Sequence, residues 1–274
     1  KAFAELYYGQ EIFNGFKLDV LLAYEDRTPL YNTTDQTLFP VEDRAYTSNN
    51  PVQPSIYGSS PFSAHSIGKA LISATINFGQ KYYSYPDRKL NVNVDTYPSL
   101  IAVYEKGFAA SKDDYNFDQI RLIVKQEFDV GNKGRLAYDA RIGTFLGTGE
   151  GLSFVDRQHF NGNQSVFFNP SSLNRFNVLP YYERSTNENY FEGHIEHNFR
   201  GWILGKLPLI NKLNWNLVTS AHVLSTENER FYREFGVGVS NVGFGKYRLL
   251  RFDYVYGQGA RGGNEGAFLI GLSL

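Results

Sequence analysis

The sequence predicts an all-β protein: an antiparallel transmembrane β-barrel with about twelve strands in this chain, whether complete in itself or one part of a larger barrel. Three observations carry the prediction. Apolar and polar residues alternate at period two along nearly all of the 274 residues, so successive side chains meet two different surroundings. Aromatic residues make up 16% of the chain, led by 22 Phe and 20 Tyr, while the overall hydropathy is that of a water-soluble protein. A barrel explains both, because polar interior residues dilute the outward apolar ones and aromatic girdles mark the two membrane interfaces. No apolar run reaches the roughly 18 residues a transmembrane helix needs.

The elements follow in order. A first segment runs from about Ala2 to Phe13, and Asn14-Gly15, the strongest two-residue hairpin signal, joins it to a second. There Phe16, Leu18, Val20, Leu22 and Tyr24 share a face against Lys17, Asp19, Glu25 and Arg27. A third places Ala70, Ile72, Ala74, Ile76 and Phe78 outward, and a fourth Leu100, Ala102 and Tyr104. Ile120, Leu122, Val124 and Phe128 then oppose Arg121, Lys125 and Glu127. After the VGNKG turn, Leu136, Tyr138, Ala140, Ile142 and Leu146 oppose Arg135, Asp139 and Arg141. Phe176, Val178 and Tyr182 mark a seventh strand. The eighth is YFEGHIEHNF, with Glu192, His194 and Glu196 alternating against Phe191, Ile195 and Phe199. Trp215, Leu217, Ala221 and Val223 give the ninth, Phe235, Val237 and Val239 the tenth. Leu250, Phe252, Tyr254 and Tyr256 oppose Arg251 and Asp253 in the eleventh, and Phe268, Ile270, Leu272 and Leu274 close the chain.

Long polar stretches at about 28–66, 80–96 and 148–174, rich in Pro, Asn, Ser and Gly, read as loops. Twelve strictly alternating strands conflict with a periplasmic Asn14-Gly15 turn, because the C-terminus would then emerge outside. One strand is therefore miscounted, or a long connection lies on the periplasmic side. RGWILGKLPLINKLN, whose apolar residues do not alternate, reads as a short interfacial helix or plug-like turn. The closing GAFLIGLSL meets the terminal barrel-assembly pattern in part, with Leu269 where glycine is expected.

A formal net charge of −1 argues against nucleic acid as partner, and the absence of cysteine removes disulfides and thiol chemistry. The chain opens in strand-like sequence without methionine, so residues 1–274 read as one barrel domain, the C-terminal part of something longer.

Several stretches carry a resemblance beyond pattern: LAYEDRTPLYNTTD, DRAYTSNNP, FGQKYYSYPDRK, DRQHFNGNQ and LPYYERSTNENYFEGHIEHNFRGWILGKLPLINKLNW. With the closing strands they resemble the C-terminal barrel of a family of large Bacteroidota outer-membrane proteins. Members carry an N-terminal carboxypeptidase-regulatory-like domain ahead of a barrel of unestablished function. The resemblance implies the outer membrane of a Gram-negative bacterium, contact with the lipid bilayer and lipopolysaccharide, and protein partners in an envelope complex. The family barrel is distantly similar to surface-antigen, insertase-type barrels, whose Arg-Gly-aromatic loop motif has no secure copy here.

Candidate chemistry is sparse, and neither a cofactor nor a catalytic residue is expected. His194 and Glu196 are weak metal-ligand candidates on one strand face, while His197 points the opposite way. A lipid hydrolase needs an outward Ser–His pair, yet parity turns Ser220 and His222 inward. His159, Phe160, Asn161 and Asn163 combine turn formers with an aromatic anchor and read as loop or plug residues, beside Asp156-Arg157. Lys17, Asp19, Glu25, Arg27, Arg121, Lys125, Glu127, Arg135, Asp139, Arg141, Glu192, His194, Glu196, Arg251 and Asp253 are expected to face the lumen. Their mixed signs suit cross-strand pairing that fills a narrow interior better than the single-sign ring of a selective pore. The expectation is a non-enzymatic membrane scaffold or subunit of an envelope assembly or export complex, with a solute or polypeptide pore as the main alternative.

Overall fold

Gly15 adopts φ 82°, open to a residue without Cβ, and reverses the chain between β1 (Ala2–Phe13) and β2 (Phe16–Arg27) as the Asn-Gly pair predicts. The computed structural model describes residues 1–30, 50–53, 56, 59–92, 96–147, 151–227, 229–245 and 247–272. The expected C-terminal Leu274 and most of the 28–66 stretch lie outside these residues.

The chain continues through β3 (His65–Asn77), β4 (Lys81–Ser84), β5 (Lys89–Val92), β6 (Ser99–Phe108), β7 (Phe117–Asp129) and β8 (Arg135–Leu146). Then follow β9 (Phe167–Phe168), β10 (Tyr190–Asn198), β11 (Asn216–Thr226), β12 (Tyr232–Phe244), β13 (Tyr247–Ala260) and β14 (Gly263–Leu272). Twelve strands form one sheet in the order β1-β2-β3-β6-β7-β8-β10-β11-β12-β13-β14-β9, and β4 and β5 pair apart from it. All pairings in the large sheet are antiparallel except the two-residue β9, which lies parallel to Ile270 and Gly271. Among the described residues, no helix is long and apolar enough to cross a membrane.

The chain is all-β and the sheet antiparallel, as expected, but among the described residues the sheet is not closed into a barrel: β9 takes up part of the edge of β14, and β1 pairs with β2 alone. Two expectations are corrected. The proposed seventh strand does not exist, because the amides of Asn177, Val178 and Leu179 bond to a carboxylate instead of a neighbouring strand. The 80–96 stretch is not simply loop but contains the β4–β5 hairpin. RGWILGKLPLINKLN, expected as a short helix or a turn, forms three short 3-10 turns, Arg200–Trp202, Leu204–Lys206 and Ile210–Leu213. With the seventh strand removed, eleven long strands remain among the described residues. Strict alternation then ends β14 on the side of the Asn14-Gly15 turn, and the parity conflict disappears.

That side, the turn end, carries the short reversals after β1, β7 and β12, together with the β4–β5 hairpin and the 3-10 segment. The opposite side, the loop end, carries the connection from β8 back into β10, described over residues 151–189, although β8 and β10 are direct neighbours. This segment enters the concavity of the sheet. It touches Arg27 on β2 through Asp156, Gln119 on β7 through Gln158, and β14 through β9. One segment can meet strands so far apart in the sheet only if the sheet curls around it.

The two faces of the wall are consequently inverted relative to a water-soluble protein. Phe235 and Phe268 are 53% and 78% exposed on the convex face, whereas Glu192 and Glu234 are 2% and 0% exposed on the concave one. Within the concavity, Phe160, Phe176 and Leu179 of the plug pack against Tyr190, Leu224 and Tyr232 of the wall. A smaller cluster joins plug residue Leu152 to Ile67, Phe117 and Phe145. At roughly 1.5–3 kcal/mol for each fully buried large apolar side chain, these contacts favour the docked plug.

Candidate functional site: a plug held by buried charge

Charged residues of the inner face fall into three groups, each reaching a part of the plug. The first surrounds Asp156, whose side chain has no exposed surface. Arg27 donates from Nη1 to Oδ2 at 2.6 Å and from Nη2 to Oδ1 at 3.1 Å, a bidentate fork. Lys69 adds a contact to Oδ1 at 2.7 Å. Arg27 is itself braced by Glu25, and Lys69 continues through Glu105 to Arg121. Burial alone would raise the Asp156 carboxyl, but the bonds from Arg27 and the charge of Lys69 outweigh it and hold the group below its ordinary range.

The second group lies on adjoining inner positions of β8, β10, β11 and β12. Register puts His194 beside Asp139 on one side and His222 on the other, and His222 beside Glu234. His194 Nε2 lies 2.9 Å from Glu192 Oε1, its Nδ1 lies 2.8 Å from His222 Nδ1, and His222 Nε2 lies 3.2 Å from Asn177 Nδ2. One direction of donation satisfies all three contacts. If Nε2–H of His194 donates to Glu192, its Nδ1 accepts from His222, whose bare Nε2 accepts from the Asn177 amide. The imidazoles thereby join wall to plug. Asn174 makes a parallel link when its amide is oriented to satisfy both neighbours, with nitrogen toward Glu192 at 3.0 Å and oxygen toward Arg141 Nη2 at 2.8 Å.

Glu234 is the tightest fastening. Its Oε2 accepts from the Asn177 amide at 2.7 Å, and its Oε1 from the amides of Val178 and Leu179 at 2.9 and 3.1 Å. Tyr232 donates a fourth bond to Oε1 at 2.7 Å. Three successive backbone donors converging on one carboxylate form an anion nest, made by the plug for the wall.

In the third group, Arg251 donates to Glu196 at 3.0 and 2.8 Å and is paired with Asp253 at 2.6 Å. Arg175 of the plug lies nearby, its guanidinium 4.5 Å from the ring centre of Phe168. Burial, reinforced by repulsion from Arg251, pulls Arg175 down to about 10, which leaves it charged at neutral pH. Arg184 donates to the carbonyls of Arg230 and Gly259 near the loop end.

All fifteen residues expected to face the lumen occupy inner-face positions. Glu25, Arg27, Asp139, Glu192, His194, Arg251 and Asp253 are buried there. Asp139 pairs with Arg141 at 2.7 Å and Arg121 with Glu105 at 2.8 Å. Nearer the turn end the plug does not cover the wall, and the Lys17–Asp19 and Arg135–Glu127 pairs and Lys125 face more open space. The two weak metal candidates go separate ways, His194 to Glu192 and His222, Glu196 to Arg251. Among the described residues, no group of three or more His, Asp or Glu side chains is arranged to hold a metal ion. His222 and Ser220 face inward as parity requires, while His197 points outward and stacks on Phe199 at 4.1 Å.

The four plug candidates take different parts. Phe160 is the aromatic anchor, edge-on to Tyr190 at 5.4 Å. His159 packs between Phe154 and Tyr182, with Nδ1 2.7 Å from Ser185 Oγ, and burial draws its imidazole below the ordinary range. Asn161 donates to the carbonyl of Asn174 at 2.9 Å and Asn163 to that of Ser165 at 2.8 Å, fastening the plug to itself.

Sequence reasoning passed over Glu234, Lys69 and Glu105 as site residues, although each has the parity of an inner position. Asp156 appeared only as loop, and Asn177 lay in the supposed seventh strand. Chemically, the ensemble can hold a polypeptide segment inside a wall.

A family model described as the C-terminal domain of a family of unknown function, DUF5686, matches residues 1–239. No curated protein matches the chain. The curled sheet with its internal plug is therefore the C-terminal domain of a member of the DUF5686 family.

Proposed function

We propose that this chain is a plugged outer-membrane β-barrel domain of a Gram-negative bacterium, acting as a scaffold or as a subunit of an envelope assembly or export complex. The single observation that carries the reading is the inversion of the wall, with large apolar side chains on its convex face and buried, paired charge on its concave one. In lipid, the free edges of β1 and β14 need backbone partners, supplied by each other or by further strands. The Bacteroidota family with the carboxypeptidase-regulatory-like N-terminal domain, suggested by the sequence motifs, is part of the same proposal. So are contact with lipopolysaccharide and protein partners in the membrane.

Fixing of the plug by Asp156, Asn177 and Glu234 favours a scaffold over a standing channel. Exposure of Lys125 and Glu127 toward the turn end favours, as second reading, a pore that opens when the plug moves. Lipid hydrolysis draws no support from His222, which is engaged by His194 and Asn177 behind the wall. The test is planar-bilayer recording of the purified full chain. Silence is expected, and steady large currents would favour the pore. A folded monomer in buffer without detergent would overturn the membrane reading altogether.

A further inference from the structure

At the turn end, an aromatic column leads off the convex face. His197, an outward residue of β10, stacks on Phe199 at 4.1 Å with 8° between the rings, and Phe199 on Trp202 at 6.0 Å and 20°. The column leads to Trp202, half-buried in the turn-end connection. Two ammonium groups lie near its ring, Lys206 at 4.8 Å and Lys133 at 5.8 Å from the centroid. Lys212 is exposed farther along the same connection. Among the described residues none of these three lysines has a carboxylate within ion-pair distance, in contrast to neighbouring Arg200 and Arg135, which pair with Asp129 and Glu127.

The apolar side chains between the lysines are exposed as well. None of the three 3-10 turns contributes a buried residue, and Leu207, Leu209 and Leu213 are open. Leu209 is 77% exposed at φ 72°, ψ −47°, a conformation glycine would adopt at little cost. A leucine there places an apolar side chain in open space at the expense of the backbone. The segment is also fastened to the wall: Asn241 Nδ2 donates to the carbonyl of Asn214 at 2.6 Å, and Arg248 donates to that of Leu213.

Unpaired ammonium groups, an indole and open leucines on a fixed rim fit a surface that is anionic above and apolar below. We infer that Lys133, Trp202, Lys206 and Lys212, with Leu207 and Leu209, form a binding surface for the headgroups of acidic phospholipids in the leaflet at the turn end. This inference rests on the proposed membrane embedding and adds to it a lipid class and a place. Indole prefers the headgroup level, and each lysine near an anionic surface strengthens its binding.

The chain has two tryptophans, so Trp215→Phe leaves Trp202 as sole reporter. The full chain carrying that substitution is placed in phosphatidylethanolamine nanodiscs with or without phosphatidylglycerol, containing lipids spin-labelled at shallow or deep positions. Shallow labels should quench Trp202 more than deep ones, and phosphatidylglycerol should increase the quenching in a salt-sensitive way. Lys133→Gln, Lys206→Gln and Lys212→Gln should each weaken the preference for phosphatidylglycerol by roughly fivefold. Insertion with Trp202 unquenched, or with quenching indifferent to phosphatidylglycerol and to the three lysines, would overturn this inference alone. Failure to enter the discs would overturn the membrane reading with it.

Discussion

Replacement of Glu234 by alanine should release the plug locally without unfolding the wall. The carboxylate is fully buried and accepts from the amides of Asn177, Val178 and Leu179 and from the Tyr232 hydroxyl. Its removal strands four buried donors. At about 1 kcal/mol each, the low end for an unsatisfied buried group, the cost is about 4 kcal/mol. With about 1.4 kcal/mol to each factor of ten, undocking becomes roughly a thousandfold more frequent. The assay is amide hydrogen exchange in detergent micelles, read at residues 177–179 and, as internal reference, in β7 and β8. Glu234→Gln, with its oxygen in the Oε1 position, keeps three of the four bonds and should show about a quarter of the effect on the logarithmic scale. An acceleration below tenfold at residues 177–179 in the alanine variant would refute the assignment of Glu234 as principal fastening. Equal acceleration in β7 and β8 would refute the separation of plug from wall.

Other consequences are equally accessible. Because the Asp156 carboxyl is held below its unfolded value of about 3.8, its share of docking stability is present above that pH and lost as pH falls through the folded value; exchange in residues 152–160 should rise below about pH 4, and Asp156→Asn should weaken docking at neutral pH and flatten that rise. His159 behaves in the opposite chemical sense but with the same pH direction: the undocked imidazole gains its proton first, near 6.5, so docking should weaken as pH drops below that value, and His159→Gln should remove this component from the exchange profile. Gly134 sits at φ 112°, ψ −157°, and a Cβ there would lie 2.1 Å from the Asn198 carbonyl oxygen. Gly134→Ala should therefore cost about 1–3 kcal/mol in backbone conformation alone and lower the denaturation midpoint in detergent, whereas Gly131→Ala, where a Cβ meets open space, should cost less.

The wall was legible because a strand residue's surroundings depend on its parity. Lys17, Arg121, Asp139, Glu192 and Arg251 lie far apart in sequence, yet one rule places them all on the inner face. The same rule applied to Tyr232 and Glu234, opposite in parity to Phe235 and Val237, would have marked Glu234. The plug was illegible for a physical reason: an irregular segment inside a curled sheet has no repeating surroundings and leaves no period. Phe176 and Val178 alternated like strand residues only because both are buried in the plug. Asp156 has its place through Arg27 and Lys69, each distant in sequence, and nothing local announces it. The two-residue β9 is too short to leave any pattern, although it decides how the edge of β14 is occupied.

The path of residues 151–189 bears on how such a molecule can vary. Its exit and return lie on strands that already pair with each other, Gly143 opposite Tyr190 and Arg141 opposite Glu192. The hydrogen-bond ladder between β8 and β10 thus runs on unbroken whatever the insert contains. Filling and wall are two modules joined at adjacent doorposts, so the insert can be lengthened, shortened or rewritten without breaking the pairing of the strands that carry it.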